Sequence, residues 1–307
     1  MIDQSHPVVI DFTQHVSPFE ELWPTTHRAL LPVIGKPILV HTLERLRNIG
    51  YRHFRIARHL QQPFVKNRLG NGREWGVTLR YSDLSGSELL NETLMSFGQC
   101  LSLKGDELLG SRWSYEEHQE APWIAAPDIQ PGQAGLYRLA KGELSYRALV
   151  EEPGTANKIQ TIKEYQQLCF AYCAAFQSAD TAPGALLHRS AQADWKTQIA
   201  PDVLVGGCCF VGKHCHVSRG AILEDSCVLG NGVYVDKKAR LKNCVVLPNT
   251  YVGKNVKLHD CVASSAGAVH VSGEFVKSPS VSALASTRRN HEHLTGLPRN
   301  IQKFLQA

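Results

Sequence analysis

From Ile199 onward an aliphatic side chain returns at every sixth position: Ile199, Val205, Val211, Val217, Leu223, Leu229, Val235 and Leu241. Four residues after each stands a small or β-branched residue: Val203, Cys209, Cys215, Ala221, Cys227, Val233, Ala239 and Val245. One residue then drops out, and the pattern resumes at Val246, Val252 and Leu258. An α-helix turns about every 3.6 residues and cannot hold a strict period of six on one face. A flat-sided coil can, with one hexad per side, the aliphatic residue inward and the small one beside the corner. Turn formers fill the places between: Pro201-Asp202, Gly206-Gly207, Gly212-Lys213, Gly230-Asn231-Gly232, Pro248-Asn249 and Gly253-Lys254. Stacking such coils buries a continuous aliphatic column. At three sides per coil, the eleven hexads predict between three and four coils.

This repeat resembles the hexapeptide-repeat, left-handed parallel β-helix family. The resemblance implies one of two uses. Some members are acyltransferases with a histidine between coils of neighbouring subunits; others are terminal domains of sugar nucleotidyltransferases, where the helix assembles or regulates. The histidines available are His214, His216 and His259, all at outward hexad positions. Cys208, Cys209, His214, Cys215 and His216 are metal-ligand types in sequence proximity. Cys209 and Cys215, however, fall at inward small-residue positions, where thiols pack well.

The amino-terminal half alternates strand and helix patterns. Strands are predicted at 7–12, 52–57, 77–82 and 100–103, and helices at 36–49, 60–69 and 88–97. In the first helix Ile38, Leu39, Thr42, Leu43 and Leu46 share a face, and Gly50 ends it. This order implies a parallel sheet in a Rossmann-like αβα layer. Ligands of such sheets bind at the carboxyl ends of strands, which here means the loops after residue 12 and at Asp106.

The stretch ALLPVIGKPILVHTLERLRNIGYRHFRI (29–56) resembles the segment after the signature loop of the sugar-1-phosphate nucleotidyltransferases, the NDP-sugar pyrophosphorylases. LKGDELL (103–109), GQAGLYRLAKGEL (132–144) and KIQTIKEYQQL (158–168) resemble further segments of that family. The resemblance implies an α/β nucleotidyltransferase-like domain over 1–178, a linker over 179–190, a left-handed β-helix over 191–277 and a tail over 278–307. It also implies Arg28 at the position of the catalytic lysine and Asp106 as a ligand of Mg²⁺; Lys36 in the GKP turn either shapes the helix that follows or contacts phosphate.

The chain departs from that family where the chemistry concentrates. Nucleotidyl transfer builds charge on phosphate oxygens and relies on positioning, metal and cationic donors. A glycine-rich loop lets backbone N–H groups approach those oxygens. The first 34 residues here contain no glycine. Loop 11–22 places Pro18, which has no N–H, and Glu20-Glu21 where relatives carry a cation. Arg28 keeps a lysine's charge with a different geometry. Lys158-Ile159-Gln160 stands where the second metal aspartate belongs, and only about 26 residues separate Asp106 from GQAGLY, too few for the sugar-pocket insert. These departures predict a catalytically degenerate protein that binds, scaffolds or regulates in sugar-nucleotide or surface-polysaccharide biosynthesis. The alternatives are an active sugar-1-phosphate nucleotidyltransferase using Mg²⁺ and a hexapeptide-repeat acyltransferase.

Composition bounds the rest. At 307 residues, 43% hydrophobic and 20% charged, the chain suits two globular domains and is neither disordered, collagenous nor a disulfide miniprotein. The amino terminus lacks a signal-peptide layout, and nine cysteines without a CxxC pair read as reduced thiols, so a cytoplasmic location is expected. A net charge of +5 does not call for nucleic acid. No run approaches the ~18 apolar residues of a membrane span. Expected partners are a nucleotide or sugar phosphate, a protein, and further copies of the chain in a homo-oligomer, with a dimer favoured. In LPRNIQKFLQ (297–306), Leu297, Ile301, Phe304 and Leu305 share a helical face, which predicts a short terminal helix that caps or assembles the β-helix.

Overall fold

The computed structural model describes residues 6–12, 22, 28–58, 62–105, 122–125, 134–148, 159, 161–176, 185–187, 196–276 and 281–283. The chain divides into two compact units, one built mainly from residues 36–159 and one from 160–307. Pro32–Gly35 belongs to the second unit, and so does the helix-bearing stretch 161–176, grouped above with the α/β domain.

In chain order, the first part of the protein runs β1 (Val8–Asp11), β2 (Pro32–Val33), β3 (Lys36–Pro37), α1 (Ile38–Asn48), β4 (His53–Ile56) and α2 (Gln62–Leu69). It continues with β5 (Thr78–Tyr81), α3 (Gly86–Phe97), β6 (Gln99–Lys104), β7 (Ile124–Ala125), β8 (Gly135–Ala140) and β9 (Glu143–Ala148). A seven-stranded sheet has the order β5-β4-β1-β6-β8-β9-β7. The first four of these strands run parallel, and the β6–β8, β8–β9 and β7–β9 pairs are antiparallel. The sheet is therefore mixed, where a parallel one is predicted.

Val8, Val9 and Ile10 are all fully buried, because this central strand is covered on both faces. Val8 and Ile10 join Phe54, Ile56 and Leu79 beneath α1 and α2; Val9 joins Cys100 and Tyr137 beneath α3. Helix α1 starts after Pro37, buries Ile38, Leu39, Val40, Thr42, Leu43 and Leu46, and ends at Gly50 with φ 114°. Only glycine enters that region without strain. Arg45 and Arg47 in its last turn complement the helix dipole.

The second unit contains α4 (Ile162–Phe176) and a parallel β-helix. The coil register is explicit. His216 and Tyr234 pair as neighbours, as do Ile222 with Arg240 and Cys209 with Cys227. Four successive coils carry Cys209, Cys227, Cys244 and Cys261 at one interior position, and Val217, Leu223, Leu229, Val235 and Leu241 fill the same dry column. The hexad reading needs one correction. The inward small residue of the third coil is Cys244, paired with Cys227, and Val245 lies outside that column. The dropped residue falls at the corner formed by Asn243, whose φ of 48° tightens the bend. Asparagine tolerates this left-handed conformation because its short side chain bonds locally.

Antiparallel strands close the β-helix. Ala185–Leu187 pairs with Cys209–Val211 at one end. At the other, Cys261–Ser264 turns back through Gly267–His270 to Phe275–Val276. Val281–Ala283 adds antiparallel to Thr250–Val252. These pairings satisfy ladder edges that open coils would expose. The predicted terminal helix lies outside the described residues.

Candidate functional site

An αβα sheet receives ligands at the carboxyl edge of its parallel strands, here that of β1 and β6. Neighbouring strands place Asp11 opposite Lys104 in register. The Lys104 ammonium lies 3.7 Å from the Asp11 carboxylate, and both side chains are largely shielded, 11% and 21% exposed. The same carboxylate accepts the backbone N–H of Phe12 at 2.9 Å.

Helix α3 points its amino terminus at this carboxylate. A methyl group on Gly86, its first residue, would lie 2.3 Å from the Asp11 carboxylate, so the helix start can approach this closely only as glycine. A helix amino terminus attracts anions through its free N–H groups and its dipole. Here an internal carboxylate already occupies that position. A second one, Glu88, accepts the backbone N–H and the hydroxyl of Ser85 at 2.9 and 2.7 Å. These bonds hold the Glu88 carboxyl below its ordinary value of 4.5.

Phe12 closes the edge beside the ion pair. Its ring is 3% exposed. A Cβ built on Gly105 would stand 2.3 Å from one ring carbon and 2.7 Å from another. The aromatic side chain therefore lies on the bare backbone at the end of β6.

Of the residues expected to carry chemistry, Lys36 is engaged elsewhere. Its ammonium donates to both carboxylate oxygens of Glu44 on α1 at 2.9 Å, tying the GKP turn to the helix it precedes. The backbone of Arg28 lies in a short 3-10 turn, Arg28–Leu30. Its side chain and all of Asp106 lie outside the described residues. Among the described residues no three His, Cys, Asp or Glu side chains gather as metal ligands. Among the described residues the strand edge offers one carboxylate beside an ammonium, a donor set that does not by itself fit Mg²⁺.

The three repeat histidines sit apart in kind. His214 is an exposed corner residue with φ 55°. His259 pairs with Asp260 at 2.9 Å. His216 stacks on Tyr234 with ring centroids 4.6 Å apart and planes 14° from parallel. Burial lowers its pKa from 6.5, and the Asp236 charge opposes that shift. Asp236 in turn accepts the Tyr251 hydroxyl at 2.9 Å. Cys209 and Cys215 point inward and are fully buried, as the hexad position requires.

Residues 185–274 match the Hexapep_GlmU family, described as GlmU-like, C-terminal hexapeptide. No curated protein matches the chain in sequence. The GlmU-like hexapeptide region covers all four coils, the closing strand Ala185–Leu187 and the strand Gly267–His270, and it does not reach the amino-terminal sheet. Among the described residues no helix is long and apolar enough to cross a membrane.

Sequence reasoning missed Asp11, Lys104 and Phe12 as a group. Asp11 and Phe12 were visible as the end of the first strand. Their engagement with Lys104, Gly86 and Gly105 depends on strand register and helix placement, which one sequence does not reveal.

Proposed function

We propose that this chain is a nucleotidyltransferase-like protein that no longer transfers nucleotidyl groups. It serves as a binding, scaffold or regulatory component of sugar-nucleotide or surface-polysaccharide biosynthesis. The observation that carries the reading is the self-occupied strand edge: Asp11 held against Lys104 and the start of α3, with Phe12 covering Gly105. A triphosphate there would meet a carboxylate at the helix amino terminus and an aromatic ring against the strand end. The bond from Lys36 to Glu44 supports the same reading, since it holds that ammonium away from phosphate work. The GlmU-like hexapeptide region supports the sugar-nucleotide context and a role in assembly.

The test is pyrophosphate release from the full chain with Mg²⁺ and a panel of nucleoside triphosphates and sugar 1-phosphates. No turnover is expected with any pair. A rate near ~1 s⁻¹, within the ordinary enzyme range, would establish the active nucleotidyltransferase instead. Thermal-shift measurements on the same panel separate binding from catalysis. Stabilisation by a ligand without turnover identifies the retained ligand class.

A further inference from the structure

Helix α4 carries Tyr165, Cys169 and Cys173 at four-residue spacing, each without exposed surface. Two contacts fix its position along the β-helix. Gln166 donates from Nε2 to the backbone carbonyl of Asn243 at 2.6 Å. The Sγ of Cys173 lies 2.6 Å from the Sγ of Cys208. Cys208, Ser226 and Asn243 stand one before Cys209, Cys227 and Cys244, so they mark the same corner of three successive coils. Between Gln166 and Cys173 the helix rises ~10.5 Å at ~1.5 Å per residue. Between Asn243 and Cys208 the coils step ~9.6 Å at ~4.8 Å per strand. The two lengths agree. The helix therefore runs beside the stack, and the packing that seats Gln166 on the third coil also brings Cys173 to the first.

All nine cysteines are free thiols, and Cys208 alone among them is partly exposed. The other interior cysteines of the column, Cys209, Cys227, Cys244 and Cys261, are sealed from solvent-borne reagents. We propose that Cys173 and Cys208 are an oxidisable dithiol, which a peroxide converts to a disulfide that fastens α4 to the first coil. The Cys208 thiolate attacks a peroxide oxygen and breaks the O–O bond, giving a sulfenic acid and hydroxide, which is protonated to water. The Cys173 sulfur then attacks the Cys208 sulfur and expels hydroxide, which leaves as water with the Cys173 proton. Two thiols lose two electrons in total, and hydrogen peroxide becomes two waters. Burial raises the pKa of both thiols, so the thiolate is scarce and the cross-link accumulates slowly under sustained exposure.

The experiment exposes the full chain to hydrogen peroxide for hours, then counts thiols and measures intact mass under denaturing conditions. The count is expected to fall from nine to seven with a loss of about 2 Da, both reversed by dithiothreitol. Tryptic peptides 164–189 and 197–213 should be joined. Each of those peptides holds two cysteines, so variants make the assignment. Cys173→Ser and Cys208→Ser should each abolish the link, whereas Cys169→Ser and Cys209→Ser should keep it. The cross-link closes a loop through the 177–195 connection and should raise the melting temperature by about 5 °C. Nine thiols surviving the oxidant would overturn the proposal. So would a link that persists in Cys208→Ser, or thiol loss to higher oxides without any joined peptides.

Discussion

Phe12 and Gly105 fit each other only as they stand, since a methyl group on Gly105 would meet the ring at 2.3 Å and the Ile10 side chain at 3.0 Å. Gly105→Ala should therefore overpack the edge and cost about 1–3 kcal/mol. Phe12→Ala should cost about 3–5 kcal/mol through the lost burial and the cavity it leaves. Combined, the two should cost clearly less than their sum, because removing the ring makes room for the methyl group. Denaturant unfolding of the four proteins measures that coupling. Additivity within about 0.5 kcal/mol would show that the ring does not lie on Gly105. At this scale the sequence was partly legible. The glycine-free loop and the missing metal aspartate could be read directly, and they pointed away from phosphate binding. Lys36 offered two readings, helix shaping or phosphate contact, and in the structure it bonds Glu44 eight residues on, within the helix it precedes. That pairing needs both the turn and the helix to be formed, so no linear motif announces it.

Helix α3 shows what an element adds to its residues. It opens with Ser85 and Glu88 bonded to each other and closes on Gly98 with φ 71°. The sequence pattern gives this helix over 88–97, and the reciprocal bonds of Ser85 and Glu88 move its start to Gly86. The approach of its first turn to Asp11 was not legible, because Gly86 becomes informative only once the sheet places a carboxylate against it. Glu88 gives this element a pH dependence of known sign. Its folded pKa is lowered, chiefly by the Ser85 hydroxyl and N–H, so its contribution is complete above the unfolded value near 4.5 and fades as pH falls through the folded one. Glu88→Ala should be less stable than the parent protein at neutral pH. The gap should narrow steadily as the medium is acidified below pH 4.5. A gap that stays constant from neutral to strongly acid solution would mean that the carboxylate does not support the helix start.

At the level of the whole molecule, the repeat made the β-helix the most legible part, because every coil restates the same inward side chains. Leu229 is fully buried between its register neighbours Val211 and Val246. Everything around it in the column is aliphatic or thiol, so a carboxylate there would have no partner. Burying an unpaired charge costs several kcal/mol, a large part of the ~5–15 kcal/mol that holds a domain folded. Leu229→Asp should therefore abolish the cooperative melt of the second unit, or send the chain into aggregates. Lys213 stands on the corner of the preceding coil, exposed, and among the described residues its bonds are those of its backbone: its N–H donates to the Asn231 side chain, and its carbonyl accepts from the N–H of Gly232 and the thiol of Cys215. Lys213→Asp introduces the same carboxylate, with an even larger change of charge, and leaves those bonds intact, so stability should change by less than about 0.5 kcal/mol. Circular dichroism melts of both variants beside the parent make the comparison. The two substitutions differ chiefly in which side of the coil wall receives the charge, so equal effects would place the column elsewhere. The one-residue correction at Asn243 shows how sharp this test is: a shift of one position exchanged Val245 for Cys244 at the interior of the third coil.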